Sequence, residues 1–323
     1  MDMKQVARGA GKRHCNPCNN SRRQLLKGAL GGVLLSALGP ALAAERSVLK
    51  PGPSYTGGRI LQRVDPQGMP GFQPDAFGPF TFFVFPVAVA ATPFDIYVAD
   101  AGLSTLFRYD PAMDAMMPVP GVRVTQQTRL AAVQDGSVVV SEGRQGQPRR
   151  YSRAGRLLQA IDPQNTFPRF DDVVVDPATG RYLALDRVQR RIEEVHPLGR
   201  SSVVLAEDLL PNLPGALALD DRILYAAGQD CRCIVAVDLF KREKHILAED
   251  ITEASALAAG DGWLVAADNV ERVMRVYRDK VLVGDPGYET LRLMNPQGMS
   301  ISRGTLYVAD PGARRVASFR LRQ

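Results

Sequence analysis

Carboxylate side chains that could bind a cation recur along this chain at regular intervals. Five acids, each directly after a short apolar segment, share this position: Asp100, Glu142, Asp186, Asp268 and Asp310. Hard divalent cations prefer several converging oxygen ligands. The alternative role is local, because acidic side chains also cap the backbone N–H groups of their own turn. Since the acid returns in nearly every repeat, we predict the structural, capping role.

Two cysteine pairs are the other chemically distinctive feature. Cys231 and Cys233 flank Arg232, and paired thiols can bind a soft metal or react with a redox partner. They could equally form a local disulfide, which is tight with one residue between, or remain as free thiols. Cys15 and Cys18 form a C-x-x-C pair ahead of a predicted export signal, and we expect them to be removed with it.

The acids end a segment that is repeated six times. Its copies are Ile96–Asp100, Val138–Glu142, Tyr182–Asp186, Leu224–Gly228, Leu264–Asp268 and Leu306–Asp310. Their last residues lie 42, 44, 42, 40 and 42 positions apart. Each unit divides into four short apolar strands joined by turns such as Asp135-Gly136. Four strands in about forty residues predict an all-β, six-bladed β-propeller.

The last repeat has room for only three strands before the chain ends. We predict that Arg59–Val64, near the other end of the chain, supplies the fourth strand of blade six. The segment ends in Asp65-Pro66, as the fourth strand of blade two ends in Asp162-Pro163. This closure would protect the edges of the ring. The propeller is therefore predicted over residues 59–323, after a linker at 45–58.

The repeats resemble a known family of propellers. Gly298-Met299-Ser300-Ile301 followed by Leu306–Asp310 is similar to the NHL repeat of six-bladed propellers. This resemblance implies a fold, and a fold by itself does not determine a function.

The loops that enter the blades resemble those of gluconolactonase-type propellers, in which Glu, Asn and Asp side chains hold a divalent metal at the axis. The nearest segments here are Asn295-Pro296-Gln297-Gly298 and Arg169-Phe170-Asp171-Asp172. The resemblance implies that Asp171 and Gln297 occupy ligand-like positions, with Asp172 and Asn295 beside them. It also implies a metal-dependent hydrolase, whose cofactor would be a divalent metal. The other entering loops have Pro214-Gly215 and Ala254 at these positions.

Histidines do not indicate a catalytic base at the axis. After residue 44 the chain has only His196 and His245, both in segments predicted for the outer strands of a blade. Propeller dehydrogenases with a quinone cofactor need an axial base, and propeller amidating lyases bind zinc through histidines. The histidine positions therefore argue against both activities. Trp263 begins a predicted buried strand, and we expect it in the core.

A phenylalanine-rich insertion at residues 66–85 precedes blade one. It contains half of the 12 Phe residues: Phe72, Phe77, Phe80, Phe82, Phe83 and Phe85. It could cover the axis or present an apolar patch to a partner, with Phe80 and Phe83 as candidate contacts. Alternatively, several of these rings pack between blades one and six.

Residues 1–44 resemble a twin-arginine export signal. Arg22 and Arg23 precede an uncharged apolar run from Gly28 to Ala43, which is too short for a stable membrane span. Ala41-Leu42-Ala43 resembles a cleavage site. The sequence therefore predicts a periplasmic or otherwise exported protein, delivered by the twin-arginine translocase, with no membrane span after cleavage.

The charge balance argues against a nucleic-acid partner. Residues 1–44 contain seven of the 40 basic residues and one of the 34 acidic residues, which leaves 33 of each. The pI of about 9.2 therefore reflects the predicted signal and not a basic binding face. We predict a binding or assembly module for a protein or small-molecule ligand at the propeller face. The alternatives are a gluconolactonase-like hydrolase and a subunit of a periplasmic redox system.

Overall fold

The structure, a computed structural model, describes residues 47–61, 77–142, 148–160, 172–176, 180–186, 191–195, 201–205, 214–228 and 231–322. The predicted export signal, Asp171, Phe72 and His196 lie outside these residues.

Short strands account for nearly all of the secondary structure. Three come before the first blade: β1 (Leu49–Tyr55), β2 (Gly57–Leu61) and β3 (Phe77–Phe82). Blade one follows with β4 (Pro86–Ala91), β5 (Ile96–Asp100), β6 (Thr105–Asp110) and β7 (Ala115–Pro118). Blade two has β8 (Arg129–Ala132), β9 (Val138–Ser141), β10 (Arg149–Tyr151) and β11 (Leu157–Ala160). Blade three has β12 (Asp172–Val175), β13 (Tyr182–Asp186), β14 (Arg191–Val195) and β15 (Ser201–Leu205).

The second half of the propeller repeats this plan. Blade four has β16 (Pro214–Asp220), β17 (Ile223–Gly228), β18 (Cys233–Asp238) and β19 (Glu243–Ala248). Blade five has β20 (Ala254–Gly260), β21 (Trp263–Asp268), β22 (Val273–Arg278) and β23 (Val281–Gly284). After the one-turn helix α1 (Tyr288–Leu291), blade six has β24 (Gly298–Ser302), β25 (Thr305–Asp310) and β26 (Arg315–Leu321). The predicted all-β, six-bladed β-propeller is confirmed.

The four strands of each blade pair antiparallel, and the first strand lies nearest the propeller axis. The buried residues form six apolar clusters, one at each seam between neighbouring blades. At the seam of blades four and five, for example, Tyr225 packs with Leu257 and Leu264. Successive side chains of a strand point to opposite faces of the sheet. Since each blade packs against two neighbours, its strands carry apolar side chains on both faces. Trp263 is buried, as predicted.

Ring closure uses a different N-terminal strand from the predicted one. β1 pairs antiparallel with β26, from Leu49 opposite Leu321 to Tyr55 opposite Val316, and so supplies the fourth strand of blade six. The assignment of this role to Arg59–Val64 is therefore wrong, and residues 45–58 are not only a linker. Leu49 explains the choice, because its side chain is completely buried in the cluster between blades five and six.

The segment that was predicted to close blade six instead extends blade one. β2 pairs parallel to β7, with Arg59 opposite Ala115, and antiparallel to β3. The sheet of blade one therefore has six strands in the order β3-β2-β7-β6-β5-β4. Gly57 permits the passage from one blade to the next, because its φ is +155° and a Cβ there would lie 2.0 Å from the Thr81 carbonyl oxygen.

Helical structure among the described residues is limited to α1. No helix in this part of the chain has the length and apolar character needed to cross a membrane.

Candidate functional site

The innermost strands of all six blades surround an axial channel with a volume of about 430 Å³. Its wall consists largely of small apolar side chains such as Ala131, Ala218 and Ala256. The loops that enter the blades lie at one end of the channel, here called the entry face, which also carries the turns between second and third strands. Arg129, Asp172, Ser255 and Gln297 line the channel there, within the first two residues of the inner strands or just before them.

Polar groups also line the channel at the opposite face, where the first strands end in turns. Asp220 accepts a hydrogen bond from the Gly262 backbone N–H at 2.7 Å. Asp261 accepts one from the Gly304 N–H of blade six at 2.9 Å. Burial raises the pKa of Asp220 above its ordinary value. These contacts between neighbouring blades were not predicted, although Asp220 and Asp261 both lie where the first strand meets the second in two successive repeats, and Gly262 and Gly304 follow in the next repeat each time.

Three of the five repeated acids, Asp100, Asp268 and Asp310, cap backbone N–H groups as predicted, but they reach further than their own turn. Asp100 is fully buried and accepts hydrogen bonds from Val84 at 2.7 Å, Phe85 at 3.0 Å and Leu103 at 3.0 Å. The first two N–H groups belong to the loop that enters blade one, and the third to the turn that follows Asp100. Each such acid therefore joins two loops of the entry face.

Two further acids repeat this geometry in blades five and six. Asp268 accepts from the entering loop and from its own turn at 2.8–3.4 Å. Asp310 accepts from Met294 at 2.9 Å, Asn295 at 2.8 Å and Ala313 at 3.4 Å. The oxygens of these three carboxylates accept hydrogen bonds from backbone N–H groups, and the side chains do not form a ring of cation ligands. The other two acids form ion pairs with arginines. Glu142 Oε1 lies 3.8 Å from Arg149 Nη1, and Asp186 Oδ2 lies 4.0 Å from Arg191 Nε.

The ligand positions implied by the gluconolactonase resemblance are only partly brought together. Asp172 and Gln297 line the same end of the channel. However, the Asp172 carboxylate accepts hydrogen bonds from the N–H groups of Val173 at 2.9 Å and Leu217 at 3.0 Å. It therefore bridges blades three and four. Asp171 lies outside the described residues.

Asn295 is engaged away from the channel. Its side-chain oxygen accepts a hydrogen bond from Asn269 Nδ2 at 3.3 Å, and Asn269 in turn accepts one from the Tyr288 hydroxyl at 2.9 Å. Burial raises the pKa of Tyr288, so this hydroxyl stays protonated as a donor. In the described part of the chain, no three His, Cys, Asp or Glu side chains are grouped as metal ligands. Among the described residues, the Asp172 oxygens already accept backbone N–H groups, so Asp172 and Gln297 do not by themselves supply the several converging oxygens that a divalent metal needs.

Cys231 and Cys233 form a disulfide in the turn between β17 and β18, with their Cα atoms 5.1 Å apart. This is the local bridge among the alternatives left open by the sequence. Cys231 is exposed, whereas Cys233 begins β18 and is buried. Arg232 between them donates a hydrogen bond to the Thr252 hydroxyl at 2.6 Å, and its carbonyl accepts one from Ile251 at 3.0 Å.

The Phe-rich insertion separates into exposed and buried rings. Phe83 is 2% exposed and packs in the cluster between blades one and six, so its assignment to a ligand face is wrong. Phe80 and Phe82 are exposed and form an edge-to-face pair with ring centroids 4.8 Å apart. They lie on β3, which four strands separate from the innermost β4, and therefore do not cover the axis. His245 is exposed on the outer strand β19, as predicted.

Comparison with known proteins shows the fold alone. No protein-family model matches the chain, and no curated protein matches it. A streptogramin B lyase superposes with a TM-score of 0.52 and 8% identity, over 74% of this chain and 94% of the lyase. A virginiamycin B lyase from Staphylococcus aureus superposes with a TM-score of 0.52 and 10% identity, over 74% of this chain and 96% of the lyase. A chain of a nidogen–laminin complex superposes with a TM-score of 0.52 and 15% identity, over 68% of this chain and 86% of that chain. The chain is a six-bladed β-propeller.

Proposed function

We propose that this protein is an exported protein-binding module whose docking surface is the aromatic pair Phe80 and Phe82 on β3. The observation that carries the proposal is the exposure of two contacting rings on one strand, with Phe82 65% exposed. Aromatic side chains dominate the energetics of protein interfaces, because each ring buries a large area at a low cost in conformational entropy. A partner with an apolar pocket would cover both rings.

The strand that carries the rings is held in place before any partner binds. Phe82 lies opposite Gly57 and Phe80 opposite Arg59 in the pairing of β3 with β2. The next residue, Phe83, is buried and donates its N–H to the Thr56 carbonyl at 2.8 Å. Rings on a preformed strand lose little freedom on binding, which favours affinity.

Contact through side chains is favoured over addition of a partner strand. β3 is the terminal strand of its sheet among the described residues, but Pro79 within it has no N–H to donate. Proline on an edge strand disfavours further strand pairing. We therefore expect recognition through Phe80 and Phe82 rather than through the backbone of β3.

Site-specific crosslinking in the producing cell tests this surface. A benzophenone amino acid would replace Phe82 in one variant and, as a matched control, Phe240 in another. Phe240 is 83% exposed on blade four and is therefore equally available to solvent. We expect a discrete crosslinked species from position 82 that is absent from position 240 and is lost when Phe80→Ser is added. The same products from both positions, or none from position 82, would refute the docking surface.

The proposal that the protein is exported rests on the resemblance of residues 1–44 to a twin-arginine signal. Replacing Arg22 and Arg23 with Lys keeps the charge but removes the paired guanidinium groups. We expect the double variant to stay in the cytoplasm with residues 1–44 attached. Its accumulation outside the cytoplasm at the normal level would contradict the proposed route.

A further inference from the structure

The turns between second and third strands share one backbone design. The residue just before the third strand adopts a left-handed conformation in four blades, with φ values of 52°, 50°, 54° and 52° for Ser104, Arg232, Arg272 and Arg314. In blades one, five and six, the preceding residue donates its N–H to the acid that ends the second strand. Glu271 and Asp268 illustrate this, with a distance of 3.1 Å. The carboxylate thus closes the turn.

Blade four closes the same turn with a covalent bond instead. Gly228 occupies the position of the acid, so the residue that ends the second strand has no carboxylate. Cys231 occupies the position of Glu271, and its sulfur is bonded to that of Cys233 across the left-handed Arg232. Sister turns reach the same φ without cysteines, so the backbone path does not depend on the bridge. Breaking the bridge would leave this turn with a backbone conformation that its sister turns adopt without cysteines, but without their carboxylate closure.

The bridge is accessible from one side only. Cys231 is exposed on the entry face, and Cys233 is 4% exposed at the start of β18. Cys231 is therefore the more accessible residue of the pair for an attacking thiolate from another molecule. Arg232 follows Cys231 directly in the chain and is exposed, and its positively charged guanidinium donates a hydrogen bond to the Thr252 hydroxyl at 2.6 Å. This charge attracts an anionic thiolate.

From the missing acid, the shared turn and the one-sided exposure, we infer that the Cys231–Cys233 disulfide is a thiol–disulfide exchange site that oxidises an external dithiol. A thiolate of the dithiol attacks the Cys231 sulfur, a mixed disulfide forms and Cys233 leaves as a thiolate. The second thiolate of the dithiol then attacks the first sulfur of the dithiol, which is bonded to Cys231 in the mixed disulfide. This step forms the disulfide of the external molecule and releases Cys231 as a thiolate. The external dithiol loses two electrons and two protons to become a disulfide, and the protein bridge takes them up to become a dithiol.

The exchange is tested with purified, folded, oxidised protein and a synthetic peptide that contains two cysteines. Mass spectrometry under anaerobic conditions would follow oxidation of the peptide. We expect one peptide disulfide per protein molecule, with both protein thiols alkylated once the reacted protein is denatured, and little change in the melting temperature. Arg232→Gln should slow the reaction about two- to five-fold, with a smaller effect at high salt, as for other exposed charges. Arg272→Gln, in the equivalent turn of blade five, is the matched control and should react at the wild-type rate.

Single-cysteine variants distinguish this site from a purely structural bridge. With oxidised glutathione, Cys233→Ser should form a mixed disulfide at the exposed Cys231, whereas Cys231→Ser should react at least ten-fold more slowly through the buried Cys233. If either variant fails to fold, brief alkylation of partly reduced wild-type protein identifies the accessible sulfur directly. A bridge that resists the peptide until the protein is denatured, or equal reactivity of the two sulfurs, would overturn the inference.

Discussion

Two adjacent phenylalanines provide a direct test of how the insertion is built. Phe82 is 65% exposed and Phe83 is 2% exposed, although they are consecutive on the same segment. We compare Phe83→Ala with Phe82→Ala, so that the chemical change is identical and only the environment differs.

The structure indicates a large difference in stability between the two variants. Phe83 lies 6.3 Å from Phe107, centroid to centroid, and packs with Ala309 and Val316 of blade six. Removing a buried Phe side chain costs about 3–5 kcal/mol, because the cavity collapses only partly. A surface substitution usually changes the free energy of unfolding by about 0.5 kcal/mol or less. For a domain of this size these values correspond to a fall in melting temperature of about 5–15 °C for Phe83→Ala and about 2 °C or less for Phe82→Ala.

Thermal unfolding followed by circular dichroism measures both values under the same conditions. Phe82→Ala serves as the control for loss of a ring from this segment. If Phe83→Ala melts within about 2 °C of Phe82→Ala, Phe83 does not fill the seam between blades one and six. The description of this seam would then be wrong.

Three further predictions concern closure, the capping acids and pH. Deleting Leu49–Tyr55 should abolish soluble protein or lower the melting temperature strongly, because the edge of β26 loses its partner; a deletion variant that melts like the intact protein would disprove the closure. Asp268→Ala should cost about 3 kcal/mol or more in chemical denaturation, because four backbone N–H groups lose their acceptor, while Asp285→Ala, at an exposed position, should cost about 0.5 kcal/mol or less; equal losses would refute the cap. Burial raises the pKa of Asp220, so its contribution to stability is present at low pH and is lost as the pH rises through the folded-state pKa. Asp220→Asn keeps an acceptor and should therefore raise the melting temperature at pH 8 but not at pH 3, and a gain of equal size at both values would contradict this.

The candidate sites were predictable to the extent that they depend on local chemistry. The capping role of the repeated acids followed from their position after a buried strand, and hydrogen bonds confirm it at Asp100, Asp268 and Asp310. The C-x-C pair was recognisable, but its state was not, because a disulfide, a metal site and free thiols use the same two residues. The left-handed φ of 50° at Arg232 and the exposure of Cys231 are visible only in the folded turn.

The sequence by itself determined the propeller, its six repeats and the apolar character of both blade faces. These properties depend on short stretches of sequence, since strand length, turn residues and apolar alternation can be recognised without reference to distant parts of the chain. Only the tertiary structure decided which N-terminal segment closes the ring, because Leu49–Tyr55 and Gly57–Leu61 are both plausible strands. Burial of Leu49 between blades five and six selects the first, and pairing with β3 and β7 engages the second. The same holds for Phe82 and Phe83, whose different roles arise from contacts with blade six, more than 200 residues further along the chain.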